Sequence, residues 1–392
     1  MEQIHPKQFP SDSGFSKYVL RDNRTFLLII TGVMWLEFVI FKILYPFPDF
    51  FSDSYSYITA AWLRMDVNIW PIGYSRFLAG FHHWVSHSGS ALITFQYLAW
   101  CCSALFFYLT LTYFYPTGKN TRIFLNLFLF FNPLIFYTAN YVTSDILFIS
   151  MSTTWLSLLL WILNRPRITH VLAQAVLTFL TFTFRYNAMI YPLIAAGVIL
   201  LSSLRPWIKA LGMILGPALI IPFILWSARA ARLVTGVPQF PPILGGWQWA
   251  NNALYFRGFI RVDTNAFPST QTAELDGMAR RFFSLPDRPQ HLLADEVANF
   301  FIRHPEAPLK QYMARHFKPR NAFEDVAAWG KSAIVFDQYG KFLIRKHPLA
   351  YARYYLLVNT KNYLIPPLEK LEIYNLGQDR MWPQAQGWFE YP

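Results

Sequence analysis

The chain has 392 residues, 54% hydrophobic and 14% charged, and its 34 Lys and Arg against 22 Asp and Glu leave a net charge of +12. Soluble domains carry roughly 25% charged residues, so this composition excludes a disordered chain and argues against an ordinary soluble enzyme; lipid is the natural solvent for the surplus apolar surface. Residues 1–227 hold 14 Lys or Arg and 8 Asp or Glu, whereas the shorter stretch 228–392 holds 20 and 14. This shift divides the chain into a membrane-spanning part, 1–227, and a hydrophilic part, 228–392.

The first apolar run, Phe26–Phe47, follows a polar start carrying Lys7, Lys17, Arg21 and Arg24. Its 22 residues make a helix of about 33 Å, enough to cross a bilayer core. No small-residue cleavage site follows, so it reads as a retained signal-anchor. Glu37 and Lys42 inside it read as a polar face toward other helices or as snorkelling groups at a helix end. Further runs lie at 90–115, 123–136, 146–163, 171–184, 188–204 and 210–227. Seven crossings are expected, with six or eight still open because several runs are short.

Charge asymmetry orients them. With the N-terminus in the cytoplasm, the inner loops carry Lys119 and Arg122, then Arg165 and Arg167, then Arg205 and Lys209. These are short basic loops without acids, as the positive-inside rule requires. The outer segments carry Asp49, Asp53, Asp66, Asp145 and Arg185, and an odd number of crossings leaves 228–392 outside. Much of the +12 is therefore topology signal plus a mildly basic outer region. Nucleic-acid binding, which wants a basic stripe on a soluble face, is not expected. Cys101 and Cys102 are adjacent in a membrane run and can form neither a disulfide framework nor a zinc site.

Chemistry is expected where polar residues gather at one membrane face. The first outer segment, 48–89, begins with Asp49 and Asp53, and the spacing of Tyr55, Ile58, Trp62 and Met65 predicts an amphipathic helix in the interface. Asp53 at the head of that helix is either an N-cap or a chemically active carboxylate. Asp145 follows Ser144 at the next outer re-entry, a helix-start signature. Arg185 in FTFRYNAMIYP is either a snorkelling anchor or a phosphate clamp. Walker, dinucleotide-binding and serine-elbow motifs are missing. His82, His83 and His87 lack the interposed Glu of a zinc protease and read as packing or interface residues.

The stretch PDFFSDSYSYITAA, with WPIGYSRFL after it, resembles the first outer loop of the polytopic C superfamily of glycosyltransferases, the GT-C class. NPLIFYTANYVTSDILF and FRYNAMIYPL resemble later loops of that superfamily, and GGWQWANNALY and the tract 336–375 resemble the outer region of bacterial members. The resemblance covers 1–227 best. It implies an all-α polytopic membrane protein with a mainly helical extracytoplasmic C-terminal region, in a bacterial cell membrane. The implied activity is transfer of a sugar from a polyprenyl-phosphate donor to a lipid or glycan acceptor, with inversion.

In that scheme Asp53 is the first choice of base and Asp49 the second, Arg185 clamps the phosphate, and Asp145 orients the acceptor or the first-loop carboxylate. Tyr55 and Arg257 are further candidates for substrate or phosphate contact, beside Arg229 and Arg232. Trp247, Trp249 and Tyr255 could stack on sugar faces or float at headgroup level. No cofactor is assigned and a need for Mg²⁺ or Mn²⁺ is left open, since two carboxylates rarely hold either without substrate phosphate. The first loop departs from the superfamily in lacking an Asp-x-Asp or Asp-Glu pair, which leaves the choice of base open. A transporter, expected to carry charge at mid-membrane and two related halves, and a non-catalytic scaffold are the rival readings.

Overall fold

The computed structural model describes residues 12–285, 299–364 and 374–391. Lys7 and residues 365–373 of the tract 336–375 lie outside the described residues. In chain order the α-helices are α1 Asp12–Lys17, α2 Arg24–Leu44, α3 Ser52–Trp62, α4 Ile72–Trp84, α5 Gly89–Phe114, α6 Lys119–Leu129, α7 Pro133–Asn140, α8 Asp145–Asn164, α9 Ile168–Phe184, α10 Tyr191–Leu201 and α11 Pro206–Thr235. They continue as α12 Leu244–Arg257, α13 Thr270–Ser284, α14 Phe300–Arg303, α15 Pro308–His316, α16 Ala322–Lys346, α17 Pro348–Tyr351, α18 Leu357–Leu364 and α19 Pro383–Trp388. Among the described residues there is no strand, only an isolated parallel bridge between Asp49 and Tyr141.

The chain forms two compact units. The first comprises 1–55, 76–220 and 378–392; the second comprises 56–75 and 221–377. The division near residue 220 lies close to the composition shift. Two segments depart from a simple two-part chain: part of the first outer segment belongs to the second unit, and the C-terminal residues belong to the first.

Among the described residues, five helices are long and apolar enough to cross a membrane: Arg24–Leu44, Gly89–Phe114, Lys119–Asn140, Asp145–Asn164 and Pro206–Thr235. Two shorter apolar helices, Ile168–Phe184 and Tyr186–Leu201, account for the other two expected runs. On α2, Ile30, Met34, Phe38 and Phe41 form a buried stripe at helical spacing, while Leu28, Ile29, Leu36, Ile40, Ile43 and Leu44 are exposed. Water would penalise such a surface by about 25 cal/mol per Å²; lipid removes the penalty. This is an all-α membrane protein.

Within the first unit, several polar side chains inside the helices find partners, as an apolar surrounding favours, while Glu37 Oε2, Tyr113 Oη and Asn126 Oδ1 are buried without a hydrogen bond among the described residues. Tyr97 Oη donates to Met34 O (2.9 Å) and its ring stacks on Phe38 at 4.3 Å. Trp161 Nε1 donates to Thr110, and Trp155 Nε1 to Gln174. The antiparallel succession of helices sorts charge by end. Tyr18 reaches Thr112, Asn164 reaches Tyr115, and Leu204 packs with Ile162, Val171 and Ile199. That end therefore gathers the loops bearing Arg122, Arg165, Arg167 and Arg205. The opposite end holds Asp49, Asp53 and Asp145.

The second unit has a core of its own around Trp247, Leu254, Phe336, Tyr339 and Leu343. Helices α12 and α16 pack backbone to backbone. A Cβ at Gly246 would collide with the Ala333 carbonyl, and one at Gly340 with the Trp249 carbonyl, so only glycine permits this approach.

Candidate functional site

The acid-bearing end of the first unit is assembled from four chain segments. After α2 the chain turns through 45–51, and that turn is tied to the residues that follow α7. Asp49 N–H donates to Asn140 O (2.9 Å), and Val142 N–H donates to Asp49 O (3.1 Å). Gln96 Nε2 donates to both Ala139 O and Tyr141 O (2.9 and 3.0 Å), and Asn140 Nδ2 donates to Phe47 O (3.1 Å). Lys42, in the last turn of α2, donates from Nζ to Asn140 Oδ1 at 2.8 Å. Apart from the Lys42–Asn140 side-chain bond, every link engages a backbone carbonyl or amide in or beside a helix end.

Asp49 is buried, 5% exposed, and accepts a hydrogen bond from the Tyr141 phenol. Burial first, then the Asp49 charge, raises the Tyr141 pKa, so the phenol stays a donor. Asp53 lies in the first turn of α3, one residue inside the helix rather than at its cap, partly exposed and within 3.3 Å of Ser52 Oγ. The capping function falls to Ser54, whose Oγ accepts from the Phe51 N–H at 2.9 Å.

Tyr55 is buried, 4% exposed, and its ring stacks on Trp382 at 4.4 Å and 9°. Burial raises the Tyr55 pKa, partly offset by a backbone hydrogen bond with Trp382. The residues around α19 thus roof the first turn of α3. Phe389 packs on Phe50 (6.0 Å), and His82 Nε2 donates to Trp388 O (3.0 Å). Burial lowers the His82 pKa, and a carbonyl can only accept, which fixes the proton on Nε2. His87 Nδ1 meets Glu390 Oε1 at 3.0 Å. Two of the three histidines therefore dock the C-terminal segment. No group of three or more His, Cys, Asp or Glu among the described residues could hold a metal ion.

The second half of this end is an ion pair. Arg185, following α9, donates from Nη2 to Asp145 Oδ1 (2.5 Å) and from Nε to Ser144 Oγ (3.2 Å). Ser144 does precede α8, but its hydroxyl makes no cap bond and serves the guanidinium instead. Arg185 is 35% exposed and Asp145 40%. The other guanidinium N–H groups meet no protein acceptor among the described residues and can reach a ligand.

Arg257 belongs elsewhere. It lies in the second unit, 6% exposed, with Nε and Nη2 on the two oxygens of Asp276 (2.6 and 2.9 Å) and Nη1 on Ile260 O (2.9 Å). Tyr339 Oη and Arg280 also reach Asp276. A guanidinium so occupied braces α12 against α13, and the expectation of phosphate contact at Arg257 is not carried forward. Arg229 and Arg232 are exposed on α11. Of the aromatic candidates, Trp247 and Tyr255 are core residues, their polar atoms bonded to Trp329 O and Phe300 N; only Trp249 is exposed, at 38%.

Sequence reasoning brought forward Asp49, Asp53, Tyr55, Asp145 and Arg185, and all five lie in the first unit. It passed over Asn140 and Tyr141, and named Lys42 and Ser144 without joining them to the site. Lys42 was marked only as a polar group in an apolar run, and its place in the last helical turn is the signal that could have joined it to the site. Comparison of the chain with protein-family models, with curated proteins and with solved structures finds no match.

Proposed function

We propose that this chain is an integral-membrane glycosyltransferase that moves a sugar from a polyprenyl-phosphate donor to an acceptor hydroxyl. The observation that carries the reading is the sharing of one end of the first unit by the Asp49–Asp53 turn and the braced Arg185. These are the two chemical functions that sugar transfer needs, beside helices that can hold a lipid donor. The resemblance of the first loop and of the 132–148 and 184–193 segments to the GT-C class supports the same activity.

In this mechanism the acceptor oxygen attacks the anomeric carbon as the bond from that carbon to the phosphate oxygen breaks, with inversion. The acceptor proton passes to a carboxylate, and polyprenyl phosphate leaves with the bonding electrons. Asp53 is the base, because its carboxylate is partly exposed whereas that of Asp49 is buried and hydrogen-bonded by Tyr141. Asp49 and Tyr141 position the turn. Arg185, held in place by Asp145 and Ser144, takes the charge that develops on the phosphate, and Lys42, bonded to Asn140, is a second cation near the Asp49 turn. A divalent cation, if used, would need donor phosphate to complete its shell.

Seven crossings, a cytoplasmic N-terminus and a bacterial cell membrane complete the proposal, supported by the basic loops gathered at the end opposite the acids. The test is transfer of labelled sugar from polyprenyl-phosphate donors to lipid and glycan acceptors by the purified protein, with Asp53→Asn in parallel. Transfer that survives Asp53→Asn removes the base assignment. No transfer with any donor, together with solute uptake into liposomes, replaces the reading with transport.

A further inference from the structure

The second unit contains an open hollow of about 300 Å³ between the start of α12, the middle of α16 and the segment 237–241. Its lining combines the aromatic side chains of Trp249 and Phe240 with a set of polar groups. Trp249 is the exposed member of α12, and its indole N–H has no acceptor among the described residues. Across from it on α16, Asp337 binds Lys341, with both carboxylate oxygens 2.7–2.8 Å from Nζ, and Lys341 lies 5.9 Å from the Trp249 ring centre. Gln338 is exposed and without a partner among the described residues. Gln239 donates from Nε2 to Gly330 O (3.1 Å), which fixes the carboxamide and leaves Oε1 as an acceptor.

This set of groups selects its ligand by elimination. The lysine and carboxylate cancel, so no net charge recommends an anion or a cation. The volume is at the small end of ligand pockets, which run to about 1,000 Å³; Val237, Pro238, Phe240, Pro241 and Ile334 also line the hollow, but most of its exposed lining is polar, which does not suit a lipid chain. A sugar ring matches what remains. One face of a pyranose carries C–H bonds that lie against an aromatic ring. Its rim carries neighbouring hydroxyls, each both donor and acceptor, which a carboxylate or carboxamide bridges two at a time. Glycines at 245 and 246 line the hollow at the start of α12, and Gly246 is kept small by the α16 backbone, so no side chain there fills the space.

We propose that this hollow is a carbohydrate-binding site for an uncharged sugar residue, with Trp249 as the stacking platform and Asp337, Gln338 and Gln239 as the hydroxyl-binding groups. Nothing in its geometry requires the catalytic assignment above. The clause that rests on that assignment is the ligand's origin: in a sugar-transferring protein the site holds a neutral unit of the glycan acceptor.

The test uses the full chain in lipid nanodiscs free of sugar-based detergent, without donor. The probes are the methyl glycosides of glucose, galactose, mannose, N-acetylglucosamine and arabinose, and binding is read by saturation-transfer difference NMR. At least one glycoside is expected to bind, with the strongest transfer to protons on one ring face. Trp249→Ala is expected to weaken that binding about tenfold while Trp249→Phe keeps most of it. Gln338→Ala, a surface change that leaves the fold alone, is expected to weaken binding as well. Binding of none of the glycosides by the wild type overturns the proposal, and so does a Trp249→Ala variant that binds as tightly as the wild type. Asp53→Asn is expected to bind like the wild type, so loss of transfer and loss of this site are read separately.

Discussion

Arg185 and Asp145, forty residues apart in sequence, form an ion pair of 2.5 Å that joins the end of α9 to the start of α8. Each side chain is more than a third exposed, so water screens the pair and its share of stability is about 0–1 kcal/mol. Its value lies in orientation: a guanidinium anchored on Asp145 and Ser144 presents its remaining donors in a fixed direction. Arg185→Gln is therefore expected to lower sugar transfer by about 100-fold or more, the range seen when one charge-stabilising donor is removed, with little change in thermal unfolding. Asp145→Asn is expected to leave Arg185 loosely held and to give a smaller loss. The exchanged pair, Asp145→Arg with Arg185→Asp, is expected to unfold close to the wild-type temperature and not to recover activity. Recovery of activity in the exchanged pair would mean that the two residues matter only as a brace.

The stacked rings of Tyr55 and Trp382 give a second prediction. Aromatic pairs contribute about 0.5–1.5 kcal/mol beyond their buried area, and here they join the C-terminal segment to the helix turn that carries Asp53. Trp382→Ala is expected to raise hydrogen exchange across 378–391 and across the first turn of α3 together, and to lower transfer. Trp382→Phe keeps a ring in place and is expected to behave close to the wild type. Faster exchange in 378–391 with no change at 52–55 would show that the two segments are independent.

The membrane helices were legible in the sequence because lipid-facing helices must be apolar all round, and composition alone reports that. Partnerships across the chain were not. Arg257 reads as an interfacial cation until Asp276, on another helix, is placed beside it, and no local pattern announces that pairing. The return of 378–391 to the first unit was likewise hidden, since Trp382, Trp388 and Phe389 sit in a polar, proline-containing stretch that composition assigns to the hydrophilic part. The aromatic candidates were partly decidable. Ile243, Trp247, Ala250 and Leu254 recur at helical spacing and define a buried stripe, which puts Trp247 inside and turns Trp249, two positions on, outward. Ser144 was read correctly as a helix start, while the use of its hydroxyl by Arg185 depended on a loop forty residues away.

Asp276 is fully buried and receives Arg257 through two hydrogen bonds, with Tyr339 as a third donor at 3.2 Å. Burial, followed by the Asp276 charge, holds the Tyr339 phenol well above its usual pKa, so it remains a donor. Removing one member of such a buried pair leaves the other charge without compensation, a loss of about 3–5 kcal/mol. Asp276→Asn is expected to destabilise the second unit by that order, read as a lower unfolding temperature and faster exchange in α12, α13 and α16. Replacing Arg257 and Asp276 together by Met and Leu is expected to recover much of the loss. If Asp276→Asn alone changed nothing, the pair would not be holding these helices.

Lys310 supplies a pH dependence of defined sign. Its ammonium lies 3.9 Å from the Trp329 ring centre and 5.5 Å from that of Trp247, and burial pushes its pKa from 10.5 down to about 8 despite the attraction of Asp325. Burial likewise raises the Asp325 pKa, only partly offset by Lys310. Between pH 8 and pH 10.5 the unfolded chain keeps a proton on this lysine that the folded chain has released. Stability from this group therefore rises with pH across that window and is lowest below it. Lys310→Met, which keeps the stem and removes the charge, is expected to unfold at a higher temperature than the wild type at pH 7, with the difference shrinking as pH approaches 10. The comparison cancels the titration of other lysines and tyrosines, since both proteins share them. A difference that stays constant from pH 7 to pH 10 would show that Lys310 titrates normally and that the indole rings, not burial of its charge, set its environment.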